Sequence, residues 1–221
     1  ANFAVTVAAA HMNIPVAHIQ GGEVSGSIDE SIRHAMSKFA HIHFPATELS
    51  KNRLIKMGEK EENIYVVGCP SIDVIVNTPQ VDKKIIEEYF NIDLNKPTLL
   101  MIQHPVTTEV NESFSQIKST VDAIKKLNIQ TIALLPNNDA GHSKIIKYIK
   151  DCGIQWYPSL STEIFINLYR NVDSIIGNSS SGIHESPTMQ IPAINIGNRQ
   201  RGREKSDNVI DVVNDTELII Q

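Results

Sequence analysis

Cysteine is scarce and long apolar runs are absent. Cys69 and Cys152 are the only two cysteines in 221 residues, and they lie far apart in apolar surroundings. A disulfide-stapled scaffold is thereby excluded, and buried free thiols of a reducing compartment are the reading that remains. No apolar run approaches the roughly 20 residues that span a bilayer. No basic start, apolar middle and small-residue cleavage site mark a signal peptide. Basic residues are scattered under a net charge of −5, so the sequence carries no nucleic-acid footprint. Repeats and low-complexity segments are missing too. These absences leave a cytoplasmic protein with neither membrane nor nucleic acid among its partners. What is present, 41% hydrophobic residues, suits a normal core in one large domain or two smaller ones.

The stretch HIQGGEVSGSIDESIRH, His18 to His34, organises the chain. Pro15 to Ile19 reads as a strand, and Gly21 and Gly22 allow a sharp exit from it. Ser27 and Glu30 make an S-x-x-E pattern, so a capped helix is expected to start near Ile28. Ile32, Ala35, Met36 and Phe39 recur at helical spacing and are expected to face a core. Glu23 and Asp29 then sit where a strand's carboxyl end meets a ligand crevice in open α/β sheets. Before this stretch, Asn2 to Met12 reads as a helix that feeds a strand with no strand ahead of it. A parallel sheet covers its helices with earlier strands, so the chain reads as a fragment lacking N-terminal βα units.

Further along, His41 to Phe44 is a short strand ended by Pro45. Thr47 caps a helix through Met57, and Gly58 stops it. Ile64 to Val67 reads as another buried strand, closed by Gly68-Cys69-Pro70. Residues 78–97, with an amphipathic helix at Asp82 to Phe90, read as a connection between domain 1–77 and domain 98–221. From Thr98 on, strands Leu99–Gln103, Gln130–Leu135, Ile154–Tyr157, Ser174–Ile176, Ala193–Ile196 and Val209–Val212 alternate with helices. That alternation implies a doubly wound parallel sheet.

Several residues stand at ligand-facing positions. Gly177-Asn178-Ser179-Ser180-Ser181-Gly182 follows a strand and opens a helix, which suits phosphate; a Ser-rich loop that merely caps a helix is the alternative. Glu185 lies one turn beyond, either on a solvated face or against a ligand. Arg199 follows the strand Ala193–Ile196 and either neutralises phosphate or pairs with Glu204 or Asp207. Asn137 ends a strand, as a turn former or a ligand contact. His104 ends LLMIQ before Pro105, which holds it extended, and a histidine there suits proton transfer or phosphate binding. Glu23 and Asp29 are either an acid–base pair or a solvated loop with a helix-dipole aspartate. His41 and His43 share a strand face without a third metal ligand at recognisable spacing. Trp156 and Tyr157 read as core before they read as a base platform.

The stretch His18 to His34 closely resembles the hydrolysing UDP-N-acetylglucosamine 2-epimerases of sialic-acid biosynthesis. The resemblance continues through Gly68-Cys69-Pro70-Ser71, Gln103-His104-Pro105-Val106-Thr107-Thr108, Pro136-Asn137-Asn138-Asp139-Ala140-Gly141, GNSSSG and Gly197-Asn198-Arg199-Gln200, nearly the whole chain. It implies two Rossmann-like domains of glycosyltransferase-B type, the first incomplete here. A catalytic Asp and an Arg of the family would belong to the missing segment. It assigns Ser179 and Ser180 to a diphosphate, Glu185 to ribose hydroxyls, and Asn137 and Arg199 to the nucleotide. His104 and Asp29 would be catalytic, with Glu23 beside them. Several family members carry Glu where this chain has Gln20, and an amide is no general base. Either Glu23 or Asp29 takes the proton, or this branch differs in mechanism. The implied reaction eliminates UDP to a 2-acetamidoglucal. Water addition then gives N-acetylmannosamine, whereas return of UDP gives UDP-N-acetylmannosamine. It needs no redox cofactor and no metal, and it implies a homo-oligomer that binds UDP-N-acetylglucosamine or a related UDP-amino sugar. A non-hydrolysing epimerase, a glycosyltransferase of the same architecture and a non-catalytic UDP-sugar-binding protein are the competing readings.

Overall fold

Strand and helix alternate along the chain, and the computed structural model describes residues 2–221, with Ala1 outside them. The chain divides into two compact units. One holds Ala1–Asp73 with Arg201–Arg203, the other Val74–Gln200 with Glu204–Gln221.

In the first unit, helix α1 (Asn2–His11) leads to strand β1 (Ala17–Ile19), helix α2 (Asp29–Phe39), strand β2 (Ile42–Phe44) and helix α3 (Glu48–Lys56). The two strands pair in parallel, Ala17 opposite Ile42. Thr47 caps α3 by accepting from the Ser50 N–H, and Gly58 follows it with φ 92°, as the sequence leads one to expect.

Three local expectations fail here. The capping box does not close. Ile28 is already helical and lends no side-chain cap, while the Glu30 carboxylate accepts from the Ser25 N–H at 2.8 Å. The turn before the helix offers that donor first. Second, the apolar stripe of α2 is only half covered. Ile32 and Phe39 are exposed, and the fully buried member of the helix is Ser37. Phe39 meets the Phe3 ring of α1, edge-on at 6.4 Å. Third, Ile64 alone of the stretch 64–67 is buried. It bridges His43, and the Tyr65 and Val67 N–H groups donate to His43 and Pro45 carbonyls. The stretch runs beside β2 with its other side chains in solvent.

Helix α4 (Pro70–Asn77) was not expected, although Pro at the first helical position is favourable because its missing N–H would be unpaired anyway. Helix α5 (Lys83–Phe90) is capped by Asp82. It buries Ile86 and Phe90 in the second unit's core, so the segment 78–97 is packed structure within that unit.

The second unit continues with β3 (Thr98–Ile102), α6 (Ser113–Leu127), β4 (Gln130–Leu134), α7 (His142–Asp151), β5 (Gln155–Tyr157) and α8 (Thr162–Tyr169). Then come β6 (Ser174–Gly177), α9 (Ser181–His184), α10 (Ser186–Met189), β7 (Ala193–Ile196), β8 (Val209–Val212) and α11 (Thr216–Ile220). The six strands order as β5-β4-β3-β6-β7-β8, all parallel. Every residue of β3 is buried, as a central parallel strand requires. Alternation sends Leu99 and Met101 to the layer with Ile117, Val121 and Ile149, and Leu100 and Ile102 to the layer with Phe90 and Leu168. Chain direction across the sheet reverses between β3 and β6, and ligands of open α/β sheets bind at the carboxyl ends beside such a switch point.

Candidate functional site

His104 leaves β3 at this switch point. Its Nδ1 accepts from the Asn137 backbone N–H at 3.1 Å. An imidazole that accepts at Nδ1 carries its proton on Nε2 when neutral. It is kept neutral: burial, then the Arg199 guanidinium, pull its pKa down to about 4, against a weaker opposite pull from Asp139. His104 therefore presents an N–H donor. Asn137 in turn is steadied by its side chain, which donates to the Asp139 carboxylate at 2.7 Å.

Beside it, β6 ends in Gly177, whose φ of 132° and whose approach to the Ile102 carbonyl leave no room for a Cβ; one would lie 2.1 Å from that oxygen. Asn178 follows, and its side chain hydrogen-bonds the backbone of His104. Arg199 and Gln200, past β7, donate to the Asn178 carbonyl at 3.1 and 2.8 Å. Ser179 and Ser180 are half-buried. The Ser179 hydroxyl accepts from the Ser181 N–H at 3.3 Å and lies 2.9 Å from the Ser181 hydroxyl. Glu185 is half-buried as well. Its charge adds to burial in holding the Tyr169 phenol protonated far above its usual range, and that phenol donates to the Ser181 carbonyl at 2.9 Å. One neutral imidazole N–H, one guanidinium and several hydroxyls in one place suit an anionic ligand with more than one oxygen.

The first unit holds its own constellation. Gln20 follows β1 with φ 58°. Its amide donates to the Cys69 sulfur at 2.8 Å, and the Ser71 hydroxyl lies 3.0 Å from the same sulfur. Glu23 pairs with Arg203 at 2.9 Å, while Arg33 donates to the Glu23 carbonyl at 3.3 Å. Gly22 passes so close to the Ser50 carbonyl that a Cβ would lie 2.4 Å from it. Asp29 is exposed and accepts from the Ser27 hydroxyl at 3.1 Å. Glu23 and Asp29 thus make different contacts, one with a guanidinium and one with a hydroxyl. Buried His18 lies 3.1 Å from the Ser37 hydroxyl, its pKa lowered to about 4 by burial, then by His43 and Arg33.

Of the residues singled out from sequence, His104, Asn137 and Arg199 come together, with Ser179, Ser180 and Glu185 on the neighbouring loop and helices. Gln20, Glu23 and Asp29 belong to the first unit. Sequence reasoning missed Asn178, Gln200 and Asp139 as partners, although each lies within a motif already noted. It missed Arg203 altogether, because nothing local ties it to Glu23. Among the described residues, no group of three or more His, Cys, Asp or Glu side chains is placed to hold a metal ion, and no helix is long and apolar enough to cross a membrane.

A family model described as UDP-N-acetylglucosamine 2-epimerase matches residues 1–221. UDP-N,N'-diacetylbacillosamine 2-epimerase (hydrolyzing) of Legionella pneumophila is 44% identical over 213 residues, 95% of this chain and 56% of that protein. UDP-N-acetylglucosamine 2-epimerase of Neisseria meningitidis is 36% identical over 208 residues, 92% of this chain and 55% of that protein. The chain thus spans about half the length of the curated relatives it matches. Among solved structures, UDP-GlcNAc 2-epimerase from Neisseria meningitidis bound to UDP-GlcNAc superposes with a TM-score of 0.81 at 21% identity, covering 99% of this chain and 63% of that one. At that identity the likeness is one of fold.

Proposed function

The chain belongs to the UDP-N-acetylglucosamine 2-epimerase family, and from that premise we propose that it serves a hydrolysing C2 epimerase of a UDP-linked 2-acetamido sugar. The observation that carries the proposal is the grouping of His104, Asn137 and Arg199 beyond the carboxyl ends of β3, β4 and β7. It offers a cation and a neutral N–H donor where a leaving diphosphate needs both.

In this reading the C2 proton leaves to a base and the C1–oxygen bond to UDP breaks, its electron pair going to the diphosphate. The intermediate is a 2-acetamidoglucal. Water then adds at C1 while a proton returns to C2 from the opposite face. Arg199 and the hydroxyls of Ser179 and Ser180 stabilise the departing charge. The Nε2–H of His104 donates to the same anion, and Asn137 holds the ring that presents it. Glu185 receives the ribose hydroxyls. Glu23 and Asp29 are the carboxylates for proton traffic on the sugar. Asp29 is exposed and its carboxylate accepts from the Ser27 hydroxyl, whereas Glu23 is held by Arg203. Gln20, tied to Cys69, positions the sugar by hydrogen bonding.

Two substrates fit the reading, UDP-N-acetylglucosamine and UDP-N,N'-diacetylbacillosamine, the latter named for the relative that is 44% identical. Proton and phosphorus NMR of the protein with each sugar in turn test the proposal. Release of UDP with the 2-epimeric free sugar supports it, and the faster sugar is the substrate. Interconversion of two UDP-sugars without UDP release would assign the non-hydrolysing reaction, and binding without change a UDP-sugar sensor. The two free thiols support placing this activity in the cytoplasm.

A further inference from the structure

Asn178 is bonded on every side. It is 2% exposed. Its Oδ1 accepts from the His104 backbone N–H at 2.7 Å, and its Nδ2 donates to the His104 carbonyl at 2.8 Å. Its own N–H donates to the Ile102 carbonyl at 3.1 Å. Its carbonyl accepts from Arg199 and Gln200. An asparagine in a turn usually bonds its own backbone a residue or two away. Here the side chain reaches across 74 positions and meets another residue's peptide groups as a strand neighbour would. The β3–β6 ladder ends with Ile102 opposite Gly177, and the Asn178 side-chain amide carries the pairing past the ladder's end, onto His104.

We propose that Asn178 is the positioning residue of this site: it joins the segment bearing Arg199 to the segment bearing His104, so that capturing a pyrophosphate and setting the imidazole are coupled. The proposal rests on the nucleotide reading of the site given above. Near neutral pH a primary amide of this length supplies an acceptor and a donor side by side without charge, which an ionised carboxylate cannot. Aspartate keeps the shape and accepts from the His104 N–H. Its second oxygen then faces the His104 carbonyl, acceptor against acceptor. Protonating that carboxyl restores the donor. A side chain that merely fills space would not distinguish the two states.

Histidine-ring NMR of the protein with UDP as the probe, with and without Asn178→Asp, Asn178→Ala and Arg199→Ala, tests this. In the unaltered protein His104 should show the neutral Nε2–H form and shift when UDP is added. Asn178→Asp should mix the tautomers and weaken UDP binding roughly tenfold near neutral pH. Both should recover as the pH falls from about 8 to about 5, where a buried carboxyl takes up its proton. Asn178→Ala should lose both at each pH. Arg199→Ala should cost less affinity on top of Asn178→Ala than alone, the signature of coupled residues. Aspartate behaving as asparagine at every pH, or additive losses from Asn178→Ala and Arg199→Ala, would overturn the proposal. Unchanged backbone amide signals elsewhere would show that the variants fold. Failure of the unaltered protein to bind UDP would instead count against the nucleotide reading, while the ligand-free tautomer of His104 still judges Asn178.

Discussion

The Glu23 carboxylate lies 2.9 Å from the Arg203 guanidinium, across 180 positions of chain, with both side chains nearly enclosed at 13% and 11% exposure. An ion pair so covered loses more from one missing partner than from two, because the remaining charge stays buried without its counter-ion. Arg203→Met should lower unfolding free energy by about 3 kcal/mol, read from the urea midpoint. Glu23→Gln combined with Arg203→Met should recover part of that loss. Equal or larger loss in the double variant would contradict the pairing.

Gly177 and Gly182 share the GNSSSG loop but not its constraints. Gly177→Ala forces a Cβ to 2.1 Å from the Ile102 carbonyl at φ 132°. It should destabilise the protein by more than about 2 kcal/mol. A Cβ on Gly182 would meet Ala193 and Ile175 at 3.7 Å, ordinary contact, so Gly182→Ala should stay within about 1 kcal/mol of the parent. Thermal melts of the two variants side by side check this.

His18 and His104 both have folded-state pKa values lowered from 6.5 to about 4. Between those values the unfolded chain binds protons that the folded chain refuses. Their contribution is therefore complete above pH 6.5 and is lost as the pH falls towards about 4. His34 and His43, lowered by burial in the same direction, act with the same sign. Melting temperature should drop steadily across that window, and His18→Gln should flatten the slope. A melting temperature that rises on acidification would contradict the assignment.

His104 donates from Nε2 and is not a cation near neutral pH, so its removal should fall on turnover. His104→Gln should lower kcat by about a hundredfold or more and change UDP affinity only a few-fold. Lost UDP affinity with kcat unchanged would make it a binding group alone.

The second unit was legible because its signals are local. Leu99 to Ile102 form an unbroken apolar run that β3 buries on both faces. Pro105 marked where the strand stops, and that stop delivers His104 to the switch point. The first unit was harder to read. Ile32 and Phe39 have helical spacing, yet only partial cover is present for them among the described residues. Glu30 preferred the N–H of Ser25 to that of its expected cap, a choice made by the turn rather than by the S-x-x-E pattern. The site's supports were hidden for a different reason. Asn178 meets His104, and Arg203 meets Glu23, only once distant segments are folded together, and no periodicity records such meetings.

The central claim, elimination of UDP with inversion at C2, is tested most directly by running the reaction in deuterated water and following C2 of the sugar. Free 2-epimeric sugar carrying one deuterium at C2, formed in equal amount with UDP, is the predicted result. Epimeric product that keeps its original C2 hydrogen, or UDP release without inversion, would contradict it.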